Sequence, residues 1–438
     1  MFDICGFLVY NWTMIENKTE KPSGQTATLT GTEITFGGLG IAPKILDVLT
    51  KLGFKTPTPI QHKAIPSASE GKDIIGIAQT GTGKTLAFGV PLIQQLLKAG
   101  KGKGLIILPT RELAIQVNET IQKIGKDFGI KTAVLIGGAP IRQQIRELSY
   151  NPHVIIGTPG RIIDHIDQRI LSLRDVTILI LDEADRMFDM GFAPQIAKIL
   201  QVVPKERQTM LFSATMPDGI VKIASYHMKL PVRIEIARAG TAATNVEHEL
   251  FVVKKDQKLP LLRKLLDEYK GSVLVFLRVK HSARKICNTL RDNGVSAAEI
   301  HSNRSLAQRR EALEGFKVGR YRVLVATDIA SRGIDVQGIE LVVNFDLPEN
   351  PEDYVHRIGR TGRAGMSGKA ISFAMPDQGQ KVREIERLTR LYIPIAKLPD
   401  LSAHLTMKTS SSGNSDREHY SSRGRRPQGR NNNAKRRY

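Results

Sequence analysis

Two tandem α/β domains, each a mostly parallel sheet flanked by helices, are what this sequence predicts, and three observations predict them. The chain has 438 residues, too many for one ordinary hydrophobic core, and its 41% apolar residues can fill two domains of common size. Short runs rich in Ile, Val and Leu, each closed by Gly, Pro, Thr or Asp and followed by a helix-like stretch, give the rhythm of a buried parallel sheet. A small-residue segment, Ala237 to Asn245, interrupts that rhythm once, and a second series of runs follows it.

Taken in order, the chain opens on an apolar stretch, Phe2 to Trp12. Asp3 and Asn11 interrupt it, no basic region precedes it, and it is about half a membrane span long, so it reads as an extension rather than a signal or an anchor. Residues 1–32 are expected to be disordered. Met14, followed by the polar run Glu16 to Thr28, suggests a start further downstream, which the mass of the native protein would decide. The first domain is expected over 33–236, with strands at Ile74 to Ile77, Leu105 to Leu108, Ala133 to Ile136, Val154 to Ile156, Ile178 to Leu181 and Thr209 to Phe212. Residues 237–245 form the linker. The second domain, 246–401, has strands at Val273 to Phe276, Arg322 to Val325, Leu341 to Asn344 and Ala370 to Phe373, with connecting helices at Ser282 to Asp292 and Leu306 to Lys317. Residues 402–438 turn to Ser, Asn, Gly and Arg, a composition that cannot bury enough apolar area to fold. That disordered basic tail reads either as an electrostatic tether for RNA or as a solvated aid to solubility.

The 64 Lys and Arg against 43 Asp and Glu leave a formal charge of +21, which attracts polyanions such as nucleic acid or acidic membrane without choosing between them. Cys5 and Cys287 are the only cysteines, and neither sits at metal-ligand spacing. This cysteine usage argues against a disulfide scaffold and a zinc site, and a reducing cytoplasm is the natural setting.

Chemistry enters where the first strand, Ile74 to Ile77, runs into Ala78-Gln79-Thr80-Gly81-Thr82-Gly83-Lys84-Thr85 and then a helical segment. A strand feeding a Gly-rich turn that opens a helix aims backbone amides at an anion. Gly81 and Gly83 let the backbone wrap phosphate, Lys84 neutralises the β and γ phosphates, and the Thr85 hydroxyl suits a Mg²⁺ ligand. Ala78 stands where the strict pattern has its first Gly. A second metal element belongs at the end of a buried strand, and Ile178 to Leu181 ends in Asp182-Glu183-Ala184-Asp185. Asp182 is placed to hold Mg²⁺ through its water shell, and Glu183 to orient and deprotonate an attacking water. Alone this tetrapeptide could be an acidic helix cap. Its position after an apolar strand, downstream of a phosphate loop, gives it catalytic meaning.

With these residues the chain resembles a DEAD-box RNA helicase from Glu33 to Leu401, and further motifs of that family follow in order. Phe36, Gly53-Phe54 and Pro57-Thr58-Pro59-Ile60-Gln61 resemble its Q motif, which implies that the Gln61 amide reads the adenine edge and the Phe36 ring stacks on the base. Pro109-Thr110-Arg111-Glu112-Leu113-Ala114, Gly137-Gly138 and Thr158-Pro159-Gly160-Arg161 are similar to loops that grip one RNA strand by its sugar-phosphate backbone, implicating Thr110, Arg111, Gly138, Thr158, Gly160 and Arg161. Ser213-Ala214-Thr215 is similar to the family's link between ATP state and duplex separation. In the second half, Ala326-Thr327-Asp328-Ile329-Ala330-Ser331-Arg332-Gly333-Ile334-Asp335 resembles the motif in which Thr327 touches RNA and Asp335 approaches the ribose. His356-Arg357-Ile358-Gly359-Arg360-Thr361-Gly362-Arg363 implies a coupling His356 and two arginine fingers, Arg360 and Arg363. Departures are Ser331 for a more usual Ala, Leu277-Arg278-Val279 in place of a pattern ending in Thr, and Leu306 at a family Gln position, while Arg309 is retained for RNA contact.

The resemblance implies two RecA-like domains and an RNA-dependent ATPase using ATP and Mg²⁺. ATP and RNA together close the cleft, and the clamped strand bends, so short duplexes separate locally with low sequence specificity. Competing readings are an ATP-gated RNA clamp or annealing chaperone, a DNA-directed translocating helicase, and a membrane role for the basic charge. The minimal core with a basic tail resembles bacterial cold-adaptation and ribosome-assembly members, pointing to a cytoplasmic setting and to ribosome-assembly or RNA-degradation complexes as partners, with no membrane partner.

Overall fold

The computed structural model describes residues 35–79, 81–236, 246–328, 336, 339–362 and 367–401. The expected extension, linker and tail lie outside the described residues. The chain divides into two compact units, one of Met1–Pro109, Ala114–Leu135 and Arg142–Ile236 and one of Thr110–Leu113, Ile136–Ile141 and Ala237–Tyr438.

The first unit is built on seven strands: β1 Ile74–Ile77, β2 Lys103–Ile107, β3 Thr132–Leu135, β4 Val154–Gly157, β5 Val176–Leu181, β6 Gln208–Ser213 and β7 Val232–Glu235. They are hydrogen-bonded in the order β3-β4-β2-β5-β6-β1-β7, and every pair is parallel. Helices cover both faces, which is why β1, β4 and β6 are buried along their whole length. Alternate residues serve opposite faces. Ile75, Ile77, Leu105, Ile107, Leu179 and Leu181 pack in one core with the helices Pro159–Asp167, Ala193–Val202 and Asp218–His227.

The second unit repeats the plan with β8 Val246–Val252, β9 Val273–Leu277, β10 Ala297–Ile300, β11 Val323–Thr327, β12 Leu341–Asn344 and β13 Gly368–Ala374. Their order is β10-β11-β9-β12-β13-β8, again parallel throughout. Val273, Val275 and Leu277 of β9 face the helices Lys258–Glu268 and Lys280–Asp292, whereas Leu274 and Phe276 face Leu306–Lys317.

Three strands escape a reading based on continuous apolar runs. β7 and β8 are edge strands whose outer residues, such as Arg233, Glu235 and Glu247, are exposed, so polar and apolar residues alternate. β10 reads Ala-Ala-Glu-Ile and is nevertheless buried throughout. Elsewhere the expected strands occur with ends displaced by one or two residues, as in Val176–Leu181 for Ile178 to Leu181.

Candidate active site

Parallel strands place the loops after their C-terminal ends along one edge of the sheet. In the first unit the neighbours β5, β6 and β1 carry the acidic tetrapeptide, Ser213-Ala214-Thr215 and the phosphate loop. The neighbours β3, β4 and β2 carry Gly137-Gly138, Thr158-Pro159-Gly160-Arg161 and Pro109-Thr110-Arg111. The strand order thus sorts the phosphate-binding motifs from the proposed RNA-gripping ones.

Ala78, at the mouth of the phosphate loop, donates its N–H to the Ser213 carbonyl at 3.0 Å. Thr82 Oγ1 closes the loop on the Gln79 carbonyl at 2.7 Å, and Gly83 opens the Lys84–Ala99 helix at φ +88°. A side chain at 83 would be strained, both by the left-handed backbone and by a Cβ lying 2.3 Å from Gln61 Nε2. Gln61 Nε2 donates to the Gly83 carbonyl at 3.0 Å, and its Oε1 accepts the Thr58 N–H at 2.9 Å to complete a capping box on the Pro59–Ser69 helix. Gln61 is therefore a buried strut between that helix and the loop, with one donor and one lone pair left for a base edge. Phe36 is buried, 4% exposed. Thr80 lies outside the described residues.

Glu183 has φ +55°, a left-handed turn that breaks the chain out of β5 into the Ala184–Asp189 helix. Such backbone costs about 1–2 kcal/mol in a residue with a side chain. Here it accompanies a buried ion cluster. Lys84 Nζ donates to Glu183 Oε1 at 3.1 Å and to the Ala78 carbonyl at 3.2 Å, and lies 3.9 Å from Asp182 Oδ1. Arg186 Nε stands 3.0 Å from the other Glu183 oxygen. Burial works against the Lys84 charge, but Glu183, Asp182 and Asp185 outweigh it and hold the ammonium above its ordinary value. Burial pushes the Asp182 carboxyl up to about 6, opposed by Lys84 and by the Glu183 N–H, which donates to it at 2.9 Å. The Thr85 hydroxyl and the Asp182 carboxylate are hard oxygen donors of the kind that suits Mg²⁺ beside bound phosphates.

Asp185 is the hub between the acidic tetrapeptide and the β6 loop. Its Oδ2 accepts from Ala214 N–H at 3.0 Å, Thr215 N–H at 2.9 Å and the Thr215 hydroxyl at 3.1 Å. Its own N–H donates to Ser213 Oγ at 3.1 Å. Both hydroxyls of Ser213-Ala214-Thr215 are thus committed to the tetrapeptide.

On the other side of the sheet, Thr110 Oγ1 accepts the Leu113 N–H at 3.4 Å at the start of the Arg111–Gly125 helix. The Arg111 guanidinium lies over the Gly137-Gly138 turn. At Gly138, φ is +75° and a Cβ would come within 2.3 Å of Arg111 Nη1. Thr158 stands at the N-cap position of the Pro159–Asp167 helix with no capping bond from its hydroxyl, and Gly160 and Arg161 sit in its first turn, where the helix end favours anions. Arg161 Nε donates to Asp164 Oδ2 at 3.3 Å.

In the second unit, Thr327 ends β11 and is buried, as are Arg309 and Arg360. His356 lies in the last turn of the Pro351–Ile358 helix, and its carbonyl accepts from Arg360 Nε at 3.2 Å. Asp335 and Arg363 lie outside the described residues. Sequence reasoning gave no role to Asp185, Arg186 or Arg357. Arg357 is 2% exposed and binds Asp328 through Nε and Nη2 at 2.6 and 2.7 Å, with its guanidinium over the Phe276 ring. The available signal was its spacing: Tyr354, Arg357 and Ile358 fall on one helical face, which places the arginine among core residues.

Residues 58–223 match the DEAD/DEAH box helicase family model, and residues 257–365 match the helicase conserved C-terminal domain. The chain is 44% identical over 373 residues to the DEAD-box ATP-dependent RNA helicase CshA of Geobacillus kaustophilus, covering 85% of this chain and 80% of that protein. It is 46% identical over 357 residues to the ATP-dependent RNA helicase CshA of Listeria monocytogenes, covering 81% of this chain and 69% of the relative. Among solved structures, it resembles Mss116p bound to ssRNA and AMP-PNP at a TM-score of 0.76 and 27% identity, covering 84% of this chain and 80% of that one. For S. cerevisiae Dbp5 bound to RNA and ADP BeF3 the TM-score is 0.74 at 29% identity, with 83% and 95% covered. These likenesses identify both parallel sheets as RecA-like domains.

Proposed function

The chain belongs to the DEAD-box family of ATP-dependent RNA helicases, and from that premise we propose how its residues hydrolyse ATP and act on RNA. The Lys84–Glu183 contact of 3.1 Å carries the reading. It pairs the cation that belongs on the β and γ phosphates with the carboxylate that belongs on the attacking water. Arrival of the nucleotide exchanges the partner of Lys84 from Glu183 to phosphate. Glu183, still oriented by Arg186, then accepts the proton of a water whose oxygen attacks the γ-phosphorus as the bond to the β–γ bridging oxygen breaks. Thr85 and Asp182 would hold Mg²⁺, which supplies positive charge to the phosphate oxygens when bound. Gln61 and the Ala78 to Thr85 loop bind ATP, with Phe36 and Asp335 at base and ribose. Arg360 and Arg363 stabilise charge developing on the γ-phosphoryl group.

RNA binds through Thr110, Arg111, Gly138, Thr158, Gly160 and Arg161, in loops that follow strands of the first sheet, and through Arg309 and Thr327, which belong to the second half of the sequence. Phosphate and sugar contacts carry no base information, so sequence specificity is low and short duplexes are opened locally. Ser213, Thr215 and His356 couple the two ligands. Among the described residues no helix is long and apolar enough to cross a membrane. The basic tail supports a cytoplasmic role on ribosome-assembly or RNA-degradation complexes.

Steady-state ATPase activity with and without single-stranded RNA, for the wild type and for Glu183→Gln, tests the reading. RNA-stimulated turnover that disappears in the variant supports it. Turnover that ignores RNA, or that survives the substitution, refutes it.

A further inference from the structure

A chain of buried polar side chains runs across the second sheet beneath the arginine motif. Arg357, bound to Asp328 through Nε and Nη2, also donates from Nη1 to Asn344 Oδ1 at 3.1 Å. Asn344 Nδ2 donates to Ser372 Oγ at 3.0 Å, and Ser372 is hydrogen-bonded to the Tyr354 hydroxyl. Tyr354 in turn meets His248 Nδ1 at 3.1 Å, the two rings stacked with centroids 6.1 Å apart. Asn344, Ser372 and Tyr354 are fully buried. In the order β11-β9-β12-β13-β8, this network crosses from the strand that ends in Thr327 to the first strand of the unit.

The Pro351–Ile358 helix enters the network twice, through Tyr354 and Arg357, which stand three residues apart on one face. Arg360 hangs directly from that helix. Its N–H donates to the Arg357 carbonyl at 3.2 Å, its Nε to the His356 carbonyl at 3.2 Å, and the next N–H, of Thr361, to the Ile358 carbonyl at 3.0 Å. Tyr354 and Ile358 pack that helix into an apolar cluster with Leu347, Ala370 and Ile385, and Arg357 and the Tyr354 hydroxyl add two polar anchors one turn apart that set the point from which the Arg360 side chain departs. His248 keeps its Nε2 buried without a hydrogen-bond partner, an unfavourable arrangement for a polar atom, so the Nδ1 contact to Tyr354 is the ring's one polar contact among the described residues.

We infer that Tyr354 and His248 are positioning residues for Arg360, holding the arginine-bearing helix at the angle that hydrolysis needs. This rests on the reading of Arg360 as a charge-stabilising group. Because a displacement near 1 Å of such a group can cost on the order of 100-fold in rate, loss of one hydroxyl anchor should cost about ten-fold.

The test is steady-state ATPase of the full chain, titrated separately with ATP and with single-stranded RNA. Tyr354→Phe should lower kcat about ten-fold and leave both half-saturating concentrations within about two-fold. His248→Leu should act in the same direction, and His248→Gln, whose amide can still pair with the hydroxyl, should recover most of the rate. In an Arg360→Lys background, Tyr354→Phe should add no further loss, because both changes act on one group. A wild-type kcat for Tyr354→Phe, or an undiminished ten-fold loss on top of Arg360→Lys, would overturn the inference. A wild-type rate for Arg360→Lys would instead sink the reading of Arg360, and the inference with it. Should Tyr354→Phe fail to fold, the contrast between His248→Leu and His248→Gln decides alone: equal rates in that pair overturn the proposal.

Discussion

The two halves of the first sheet end their strands in polar loops and hold those loops by different means. On the β5-β6-β1 side the reactive groups are buried and spent on one another: Lys84 on Glu183, Arg186 on Glu183, Asp185 on the loop of Ser213 and Thr215. On the β3-β4-β2 side the loops are set by backbone shape, with Thr110 and Thr158 starting helices and Arg111 lying over a glycine turn. On the proposed reading the nucleotide side must exchange partners before it works, and such an exchange would give a nucleotide leverage over the loop of Ser213 and Thr215. On the proposed RNA side, Arg161 donates to Asp164 Oδ2 at 3.3 Å and would exchange that partner for a backbone phosphate.

Four substitutions probe this contrast. Lys84→Ala leaves Glu183 with Arg186 alone as counter-cation and ATP without its phosphate clamp, so turnover should fall by about 10³-fold. Nucleotide-free RNA affinity should stay unchanged when both are measured, by ATPase assay and fluorescence anisotropy. Asp185→Asn replaces an acceptor of four donors by an amide. It should lower duplex unwinding about 100-fold and, by leaving buried donors poorly matched, cost about 1–3 kcal/mol of stability in denaturant titration. Gly138→Ala forces a side chain into left-handed backbone against Arg111, with a strain of about 1–2 kcal/mol. The RNA concentration for half-maximal ATPase should rise about ten-fold, with the ATP requirement unmoved. Arg161→Ala should weaken RNA binding by only about three- to ten-fold and make the salt dependence shallower by roughly 0.7 in log–log slope, since one phosphate contact is lost. If Gly138→Ala or Arg161→Ala changed the ATP requirement instead, the division of labour along the sheet would be wrong.

Most of this architecture is legible in the residues. Interior strands are read from apolar runs because helices on both faces demand them, and the phosphate loop is read from Gly81, Gly83 and Lys84 because close backbone approach needs glycine. What stays hidden depends on pairing. Glu235 and Glu247 make their strands look like loops, since an edge strand shows half its residues to solvent. The strut role of Gln61 follows from the Gly83 carbonyl 22 residues away, and that of Asp185 from donors 29 and 30 residues away, distances at which local patterns are silent. Arg357 shares a motif with Arg360, yet one anchors the helix and the other hangs beyond it, a difference of burial partners that residue type cannot disclose.

Anisotropy of labelled single-stranded RNA with Glu183→Gln, in the presence of ATP, reaches the heart of the account. Removing only the proton acceptor should leave ATP bound and RNA held at least as tightly as by the wild type, with no hydrolysis to release it. Loss of ATP-dependent RNA binding in that variant would contradict the separation of catalysis from grip along the sheet.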